Sequence, residues 1–456
     1  MKTLYADVCV VGSGMTGIAA ALAVARHGAN VTLIESHSYL GGTPSLGMGW
    51  LGWTDDEKRM VVRGIPWEII QRLQQVGGAS ELVDEPINNG IVAVEPYLYQ
   101  IMTAKLLHEA GVNVLLYSQA VSTIVDAQGC IKGIVIQGRT EQIKLMSRVT
   151  IDTTGDGDVC ALAGVPFTYG ADTTGQTQVA SAVLRVRSIN WQKFINYIRE
   201  TGWEARHLLK NQSAQLEEWL ALIQHAPTFI IGGFSDLIRQ ARQTNEWNVA
   251  DDRLIGCASP CFDMLVVVSS RVYMKDTLTH EMTRAEMDGL AHASSIHGFL
   301  KKWIPGMEDA IIGGIGPAIG VRESRRIHGD YMLTREDVVQ GKRFPDAIAL
   351  SGYQVSMHIG STLHRESTRA YDIPFRCLLP VGVENLLVAG RCLSATHGAQ
   401  ASIRVIPVTA ATGQAAGTAA ALAIRQGKTV RQVDTVQLQQ TLIADGCELG
   451  QSFGLR

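Results

Sequence analysis

Three glycines near the start of the chain have the spacing of a dinucleotide-contacting loop. Gly12, Gly14 and Gly17 form the pattern G-x-G-x-x-G, and Glu35 follows 23 residues after Gly12. In this pattern the first glycine makes a tight turn, the second admits a pyrophosphate to a helix N-terminus, and the third allows close helix–strand packing. The Glu35 carboxylate would accept from ribose hydroxyls. The same predicted site includes Met15, Thr16 and Ser36.

Later glycines favour FAD over a nicotinamide cofactor. Gly41 and Gly42 with Thr43, the pair Gly155 and Asp156, and the pair Gly390 and Arg391 each offer bare backbone at a separate point of the chain. An extended cofactor that passes several glycine-lined points fits this distribution better than a shorter contact would. We therefore expect FAD.

These segments also carry a family resemblance. V-V-G-S-G-M-T-G at 10–17, D-T-T-G-D-G-D at 152–158, G-V-R-E-S-R-R at 320–326 and N-L-L-V-A-G-R at 385–391 resemble the bacterial FAD-dependent oxidoreductase family, related to succinate dehydrogenase and fumarate reductase flavoproteins. The resemblance runs from Ala6 to about Gly427. It implies an α/β fold, with a Rossmann-like, glutathione-reductase-like FAD-binding domain and an inserted α+β cap domain.

The resemblance implies roles for individual residues. FAD would be held without a covalent bond by the glycines near Glu35 on one side, by the backbone of Val121 at its adenine half, and by Gly155, Asp156, Gly390 and Arg391 on the other side. The family often has Pro-Val-Asp-Ile-His where this chain has Gln-Val-Ser-Met-His at 354–358. The histidine is kept and the aspartate is replaced by Ser356, so a role that needs that carboxylate is in doubt.

The last long helix is expected to stabilise reduced flavin. Backbone amides from Ser402 and Ile403 to Val405, with Arg404 beside them, would offset the negative charge near flavin N1 and O2. The alternative is that Arg404 belongs to a structural ion pair. Small residues recur at Ala410, Gly413, Gly417 and Ala420, which predicts close packing of this helix against the sheet.

Chemistry at flavin N5 also needs a group that exchanges a proton, and histidine titrates closest to neutral pH. His358 and His397 are the candidates, and a hydrogen-bonded core histidine is the alternative for each. Arg322 is a candidate ligand for a substrate carboxylate. Otherwise Arg322, Arg325 and Arg326 form a structural cluster in which at least one pairs with Glu323 or Asp330.

Other notable residues receive structural interpretations. Trp50 and Trp53 are expected in the core, with a wall of the substrate pocket as the alternative. No His or Cys spacing fits a metal site, so no metal is expected. His37 raises covalent attachment of the flavin as an alternative, but its spacing to Gly41 is shorter than in succinate dehydrogenase flavoproteins.

Composition excludes several partner classes. The 456 residues include 40 basic and 43 acidic side chains, a net charge of −3, which argues against nucleic acid and anionic membrane as partners. Eight scattered cysteines suit a reducing compartment and indicate no disulfide framework. The uncharged stretch 405–424 is rich in Ala, Gly and Thr, which suits a helix buried in protein. A cytoplasmic protein is expected, and a homo-oligomer is left open.

The order of elements predicts three segments. A strand at 7–11, a helix at 18–27 and a strand at 30–34 form a β-α-β unit around the first glycines. Residues 1–170 are expected to begin the FAD-binding domain, 171–339 to form a cap or substrate domain, and 340–456 to complete the first domain. The expected activity is hydride transfer between a small polar organic substrate and flavin N5, as a dehydrogenase or reductase with an external electron acceptor or donor. The alternatives are a redox-neutral flavoprotein and a non-catalytic FAD-binding protein.

Overall fold

The computed structural model describes residues 1–85, 88–171, 173–201, 214–359 and 362–455. In chain order the strands are β1 (Lys2–Val11), β2 (Val31–Ile34), β3 (Trp50–Leu51), β4 (Ile91–Val92), β5 (Asn113–Leu115), β6 (Gln119–Val125), β7 (Ile131–Gln137), β8 (Gln142–Asp152), β9 (Phe167–Thr168), β10 (Leu184–Arg187), β11 (Phe229–Gly233), β12 (Leu254–Ser259), β13 (Met264–Val267), β14 (Ile311–Ile315), β15 (Arg326–Ile327), β16 (Ala347–Ser351), β17 (Val355–Ile359), β18 (Thr362–Glu366), β19 (Tyr371–Pro374) and β20 (Leu386–Val388).

Helices alternate with these strands. In chain order they are α1 (Met15–Arg26), α2 (Ile65–Gln75), α3 (Pro96–Glu109), α4 (Asp158–Leu162), α5 (Trp191–Thr201), α6 (Ala214–Leu222), α7 (Ser235–Gln243), α8 (Thr279–Trp303), α9 (Arg335–Val339), α10 (His397–Ile403), α11 (Ile406–Gln426) and α12 (Thr435–Ala444).

A seven-stranded sheet carries the glycine loop. Its order is β5-β2-β1-β8-β7-β6, and β20 also pairs with β8. The pairs of β1 with β2 and β8, of β2 with β5 and of β8 with β20 are parallel, whereas β6, β7 and β8 form an antiparallel meander. Parallel strands joined through α1 make a Rossmann-like unit, which confirms the predicted α/β fold class.

Helix α11 packs against α1 through its small residues. A Cβ on Gly413 would lie 2.1 Å from the Thr16 carbonyl oxygen, and one on Gly417 would lie 2.2 Å from that of Ala20. Both glycines are therefore required for the close approach of the two helices. The predicted stripe of small residues is real, but its glycines face α1 rather than lying directly on the sheet. The helix ends at Gly427, which has the αL conformation.

A second, five-stranded antiparallel sheet lies within residues 184–315. Its order is β11-β12-β13-β10-β14. Alternating residues divide its two faces, because successive side chains of a strand point in opposite directions. Leu265 and Val267 of β13 enter a core that also contains Phe229 and Phe299. Val266, between them, lines a cavity on the other face.

Two kinds of feature, a membrane span and a metal centre, can be checked against the described residues. In the described part of the chain, no helix combines the length and the apolar character needed to cross a membrane. The same residues contain no group of three or more His, Cys, Asp or Glu side chains arranged to hold a metal ion.

Candidate active site

One cavity of about 510 Å³ is lined by the glycine loop, by the five-stranded sheet and by a group of basic side chains. We call its first part the glycine end, lined by Gly12, Gly14, Met15, Thr16, Glu35, Ser36, Gly42, Thr43, Gly155, Asp156 and Arg391. We call its last part the arginine end, lined by Arg322, Tyr353, Ser356, His358, Arg365 and Arg404. The apolar wall, from the five-stranded sheet, consists of Ile230, Ile255, Cys257, Val266 and Val268.

The three glycines of the first loop serve different purposes. Gly12 has a φ of +98°, and a Cβ there would lie 2.7 Å from the Thr153 carbonyl oxygen. A Cβ on Gly17 would lie 1.8 Å from the Gly12 carbonyl oxygen, so the protein itself requires both glycines. Gly14 has an ordinary φ of −60°, and its Cβ would meet no protein atom within 4 Å. Since Gly14 lines the cavity, its lack of a side chain leaves room for a ligand rather than for the protein.

Glu35 lies at the end of β2, where its carboxylate is held by neighbouring groups. Ser13 donates its backbone N–H and its hydroxyl to Oε2, each at 2.8 Å. His37 donates its backbone N–H to Oε1 at 2.9 Å, and its Nδ1 lies 2.8 Å from the same oxygen. Burial opposes ionisation, but the hydrogen bonds from His37 and Ser13 outweigh it and lower the pKa of Glu35 to about 2. The carboxylate is therefore ionised and held in place where a ribose acceptor is expected.

The loop that contains Gly155 and Asp156 is held by Arg391. Its Nη2 lies 2.6 Å from Asp156 Oδ1, and its Nε donates to the Gly155 carbonyl oxygen at 2.8 Å. Gly155 has a φ of +80°, a conformation that glycine adopts without strain. This arrangement joins the loop after β8 to the loop after β20, because the two strands are parallel neighbours.

Six residues expected to hold the cofactor do not line this cavity: Gly17, Gly41, Val121, Gly390, Ser402 and Ile403. Gly17 and Gly390 instead allow close packing, against Gly12 and Thr16. Gly41 packs against the protein, since a Cβ there would lie 2.5 Å from the Tyr99 ring.

Two residues that precede Val121 line the cavity, and Val121 does not. It lies at a register shift between Ala120 and Ser122 in β6, and a bulge of this kind changes which side chains and backbone groups face a given side. Gln119 and Ala120 line the cavity instead, and Val121 is 39% exposed.

The expected helix N-terminus lies further along the chain than predicted. Ser402 and Ile403 are the buried last residues of α10, and the Ser402 hydroxyl lies 2.6 Å from the Tyr371 hydroxyl. Helix α11 begins at Ile406, and Val405, Ile406 and Thr409 line the cavity. The chain breaks its helix at Arg404, so this residue lies two positions before the first residue of α11.

Arg404 binds neutral groups. Its Nη2 donates to the Gln178 side-chain oxygen at 3.2 Å and to the Ser356 carbonyl oxygen at 3.1 Å. Its Nε is shielded from solvent and has no hydrogen-bond partner in the described part of the chain. Burial lowers the pKa of Arg404. Among the described residues Arg404 forms no ion pair, so the ion-pair alternative does not describe it.

Arg322 faces the cavity, and its two neighbours in sequence pair elsewhere. Arg322 Nη1 donates to the Val179 carbonyl oxygen at 2.7 Å and to the Ser181 hydroxyl at 2.8 Å. Burial, followed by repulsion from Arg404, holds its pKa well below the usual range. Arg326 pairs with Glu323, one of the two partners predicted for this cluster. Arg325 pairs instead with Asp158, and Asp330, the other predicted partner, pairs with Arg431.

The two histidine candidates occupy different environments. His358 lines the cavity, and its Nδ1 lies 3.5 Å from Arg271 Nη2. Burial, and then the charges of Arg322 and Arg404, hold the pKa of His358 well below its usual range, so the imidazole is neutral. His397 does not line the cavity, and its Nδ1 lies 2.8 Å from Glu323 Oε1. The geometry therefore favours His358 for contact with a bound molecule, whereas His397 is buried outside the cavity lining.

Arg365 and Tyr353 are cavity residues that were not predicted from sequence. Both line the arginine end. Arg365 lies opposite Ser356 in the antiparallel pair of β17 and β18. The alternating run V-S-M-H-I, followed closely by T-L-H-R-E, is a hairpin signal that would have placed Arg365 beside the segment containing His358. Nothing in the local sequence marks Tyr353.

Trp50 and Trp53 belong to the core, as expected. Both are fully buried and stack with their ring centroids 6.3 Å apart. Neither lines the cavity. The alternative of an aromatic wall for the pocket is therefore not what the structure shows.

Comparison with known proteins adds a family and a few relatives. The family described as FAD dependent oxidoreductase matches residues 7–442. The chain is 28% identical to thiamine thiazole synthase of Aeropyrum pernix over 194 residues, which are 41% of this chain and 61% of that protein. It is 49% identical to 4-oxocyclohex-2-ene-1-carboxylate 5-dehydrogenase of Sinomonas cyclohexanicum over 49 residues, which are 11% of this chain and 8% of that protein. The matches thus span less than two thirds of either relative.

Solved structures resemble this chain over most of its length at low identity. A geranylgeranyl bacteriochlorophyll reductase-like protein from Thermoplasma acidophilum has a TM-score of 0.48 at 14% identity, covering 98% of this chain and 85% of that one. L-proline dehydrogenase from P. horikoshii has a TM-score of 0.44 at 13% identity, covering 96% and 99%.

Proposed function

This chain belongs to the FAD dependent oxidoreductase family and its cofactor is FAD, and on that premise we propose that it transfers a hydride between a small polar organic substrate and flavin N5. An external electron acceptor or donor completes the cycle. The observation that carries the proposal is the continuity of one cavity from Gly14 and Glu35 to His358 and Arg404. A cofactor bound at the glycine end would extend toward a basic, partly apolar chamber of a kind that suits an organic substrate.

The residues of the glycine end fit FAD. The open space above Gly14 and the ionised Glu35 suit a pyrophosphate and a ribose, and Arg391 with Asp156 supplies a second contact point. FAD, when bound, supplies a ring that accepts or releases a hydride. We propose that it is held without a covalent bond, because His37 already contacts Glu35.

The residues of the arginine end would then do the rest. Arg404, beside the N-terminus of α11, offsets negative charge on the flavin. Arg322 orients the polar group of the substrate through a guanidinium that the Val179 and Ser181 contacts hold in place. His358 is neutral at pH 7 and has a nitrogen able to accept a proton during oxidation of the substrate. The apolar wall excludes water from this chamber.

The second candidate is a redox-neutral flavoprotein. Of the two relatives, the synthase has the longer match and the dehydrogenase the shorter one. The dehydrogenase name agrees with hydride transfer, and the synthase name keeps the redox-neutral alternative open. A non-catalytic FAD-binding protein is the third possibility and would leave the polar groups of the arginine end without a use.

Anaerobic mixing of the FAD-loaded protein with a panel of small hydroxy, amino, saturated and unsaturated organic compounds separates these candidates. Loss of the visible absorbance of oxidised flavin with one compound supports hydride transfer. Turnover of a compound without net loss of that absorbance supports the redox-neutral alternative. Neither effect, for oxidised and for chemically reduced protein, supports the third.

A further inference from the structure

We propose that the arginine end binds the carboxylate of an organic substrate between Arg365 and Arg322, with the apolar body of that substrate against the row Ile230, Cys257 and Val266. The inference deepens the proposed function, on which it rests, by naming the substrate class. It also assigns roles to Arg365 and the apolar row, which had none among the residues predicted from sequence.

Arg365 is the strongest single indication. Its guanidinium lines the cavity, and its Nε is shielded from solvent without a hydrogen-bond partner among the residues the structure describes. Within the same residues it forms no ion pair, and the nearby Glu85 affects its pKa less than burial does. An arginine is expensive to bury without a counter-ion, and a carboxylate matches its planar, forked donors. A bound carboxylate would supply the missing partner.

Arg322 supplies a second donor. The Val179 and Ser181 contacts occupy its Nη1 and hold the side chain in place. Its Nη2 makes no hydrogen bond to any described residue, so a donor with a fixed position is left for a ligand. Arg322 and Arg365 reach the same cavity from different parts of the chain, one before β15 and one in β18.

The charge balance favours a substrate anion at this end. Arg271, which approaches His358, is already paired with Asp251. The carboxylates that line the cavity lie toward the glycine end and have partners: Glu35 with His37, Asp156 with Arg391, Asp158 with Arg325, and Glu286 with the Ile319 N–H. Arg322, Arg365 and Arg404 outnumber Glu85, the carboxylate that acts on Arg365, so positive charge remains in excess. Assigning Arg404 to the flavin leaves two arginines for the substrate.

The apolar row determines which kind of anion fits. Ile230 is paired with Cys257, and Cys257 with Val266, across three neighbouring strands. All three side chains lie on the sheet face that lines the cavity, because the alternate residues of these strands enter the core behind them. The row packs with Leu46, Val83 and Ile91 and is only 1–7% exposed, so it gives the cavity an apolar face with few polar groups. A carboxylate with an apolar ring or chain would contact this face, whereas an inorganic anion has no apolar part to place there.

Calorimetric titration of the oxidised, FAD-loaded protein tests the inference without turnover. The probes are benzoate, its neutral analogue benzamide, acetate and inorganic phosphate. We expect saturable binding of benzoate that is at least tenfold tighter than binding of the other three probes. The reason is that only benzoate combines a charged carboxylate for the arginines with an apolar ring for the row. Equal affinity for benzoate and benzamide, or tighter binding of phosphate, would overturn the inference.

Variants locate the site. Arg365→Gln is expected to weaken benzoate binding by about 10- to 100-fold, with benzamide binding unchanged, and Arg365→Lys to weaken it less. Arg335→Gln is the matched control, since Arg335 is exposed and pairs with Glu366, the residue after Arg365. FAD content, measured for each variant, identifies a failure to fold. Unchanged benzoate affinity in a folded Arg365→Gln protein would refute the assignment.

The outcomes separate this inference from the proposed function. Selective, Arg365-dependent benzoate binding in a protein that no compound reduces would leave the carboxylate site standing and remove hydride transfer. Reduction by a substrate that lacks a carboxylate, with no benzoate binding, would do the reverse.

Discussion

At the scale of single residues, Glu35 shows how its surroundings prepare a group for a ligand. In addition to the contacts from Ser13 and His37, the Ser36 hydroxyl donates to its Oε1 at 3.1 Å. A ribose hydroxyl must therefore share or displace a donor that is already present. The local network sets the ionised state of the carboxylate, and the ligand then exploits it.

Replacement of Glu35 by Gln should weaken FAD binding and also change the dependence of stability on pH. The pKa of Glu35 in the folded protein is about 2, below its ordinary value of 4.5. The carboxylate thus stabilises the fold at pH values above about 4.5 and loses that contribution as the pH falls toward 2, a loss of the order of 1–3 kcal/mol. Urea unfolding across this range should be less pH-dependent in Glu35→Gln, and an identical slope would contradict the network described.

Arg404→Met should lower the reduction potential of the bound flavin. Removal of a buried positive charge beside the N-terminus of α11 makes the reduced anion harder to form, by an amount on the order of 30 mV, or tenfold in a two-electron equilibrium. Redox titration against a reference dye measures it. Arg335→Gln should leave the potential unchanged, and an unchanged potential in Arg404→Met would remove Arg404 from the flavin site.

His358→Gln should slow substrate reduction of the flavin by roughly 10² to 10⁴ while FAD remains bound. The pKa of His358 lies well below its usual range, so the neutral form persists at pH 7 and is lost only in acid. The wild-type rate should therefore stay level through neutral pH and fall at an acidic pH below 6.5. A rate in His358→Gln equal to wild type would shift attention to Tyr353, which also lines the arginine end and carries a phenolic hydroxyl.

At the scale of elements, the β-α-β unit explains which parts of the site could be predicted from sequence. Gly12, Gly14, Gly17 and Glu35 lie within one short unit, so their spacing alone determines their relative positions. Arg365 reaches the cavity only because β18 folds back on β17, and Val121 misses it because of a bulge in β6. The alternating runs signal the hairpin of β17 and β18 but do not show that it lies at the cavity, and the bulge in β6 depends on the surrounding fold.

Two alanine substitutions in the glycine loop should have opposite effects. Gly14→Ala adds a methyl group that meets no protein atom, so stability should change by less than about 1 kcal/mol while FAD affinity falls at least tenfold through overlap with the ligand. Gly17→Ala forces a methyl group against the Gly12 carbonyl and should cost about 1–3 kcal/mol or more. Thermal unfolding and FAD titration of both proteins measure the contrast.

The contrast depends on the ligand. Normal FAD affinity in Gly14→Ala would mean that no part of the cofactor approaches this backbone. A Gly17→Ala protein as stable as wild type would mean that α1 can move away from the loop, against the packing described.

At the scale of the whole molecule, two sheets share one cavity. We propose that residues 1–170 and 340–456 form the FAD-binding domain and that 171–339 form the cap. Supporting this division, β20 joins the sheet that begins the chain, whereas β10 to β14 form a separate sheet. The cap contributes the apolar wall, and its helix α8 adds Met282 and Glu286 to the cavity lining. Changes in sequence texture suggest this division, but they do not identify the apolar residues that line the cavity.

The central claim is hydride transfer to or from the flavin, and a single anaerobic turnover tests it most directly. FAD-loaded protein is mixed with one equivalent of a compound that reacts with it, and flavin absorbance and product mass are measured together. The account predicts that each molecule of substrate oxidised reduces one flavin and leaves a product lighter by two hydrogen atoms, or the reverse when reduced flavin is the donor. A product of unchanged mass, formed while the flavin keeps its starting redox state, would contradict it.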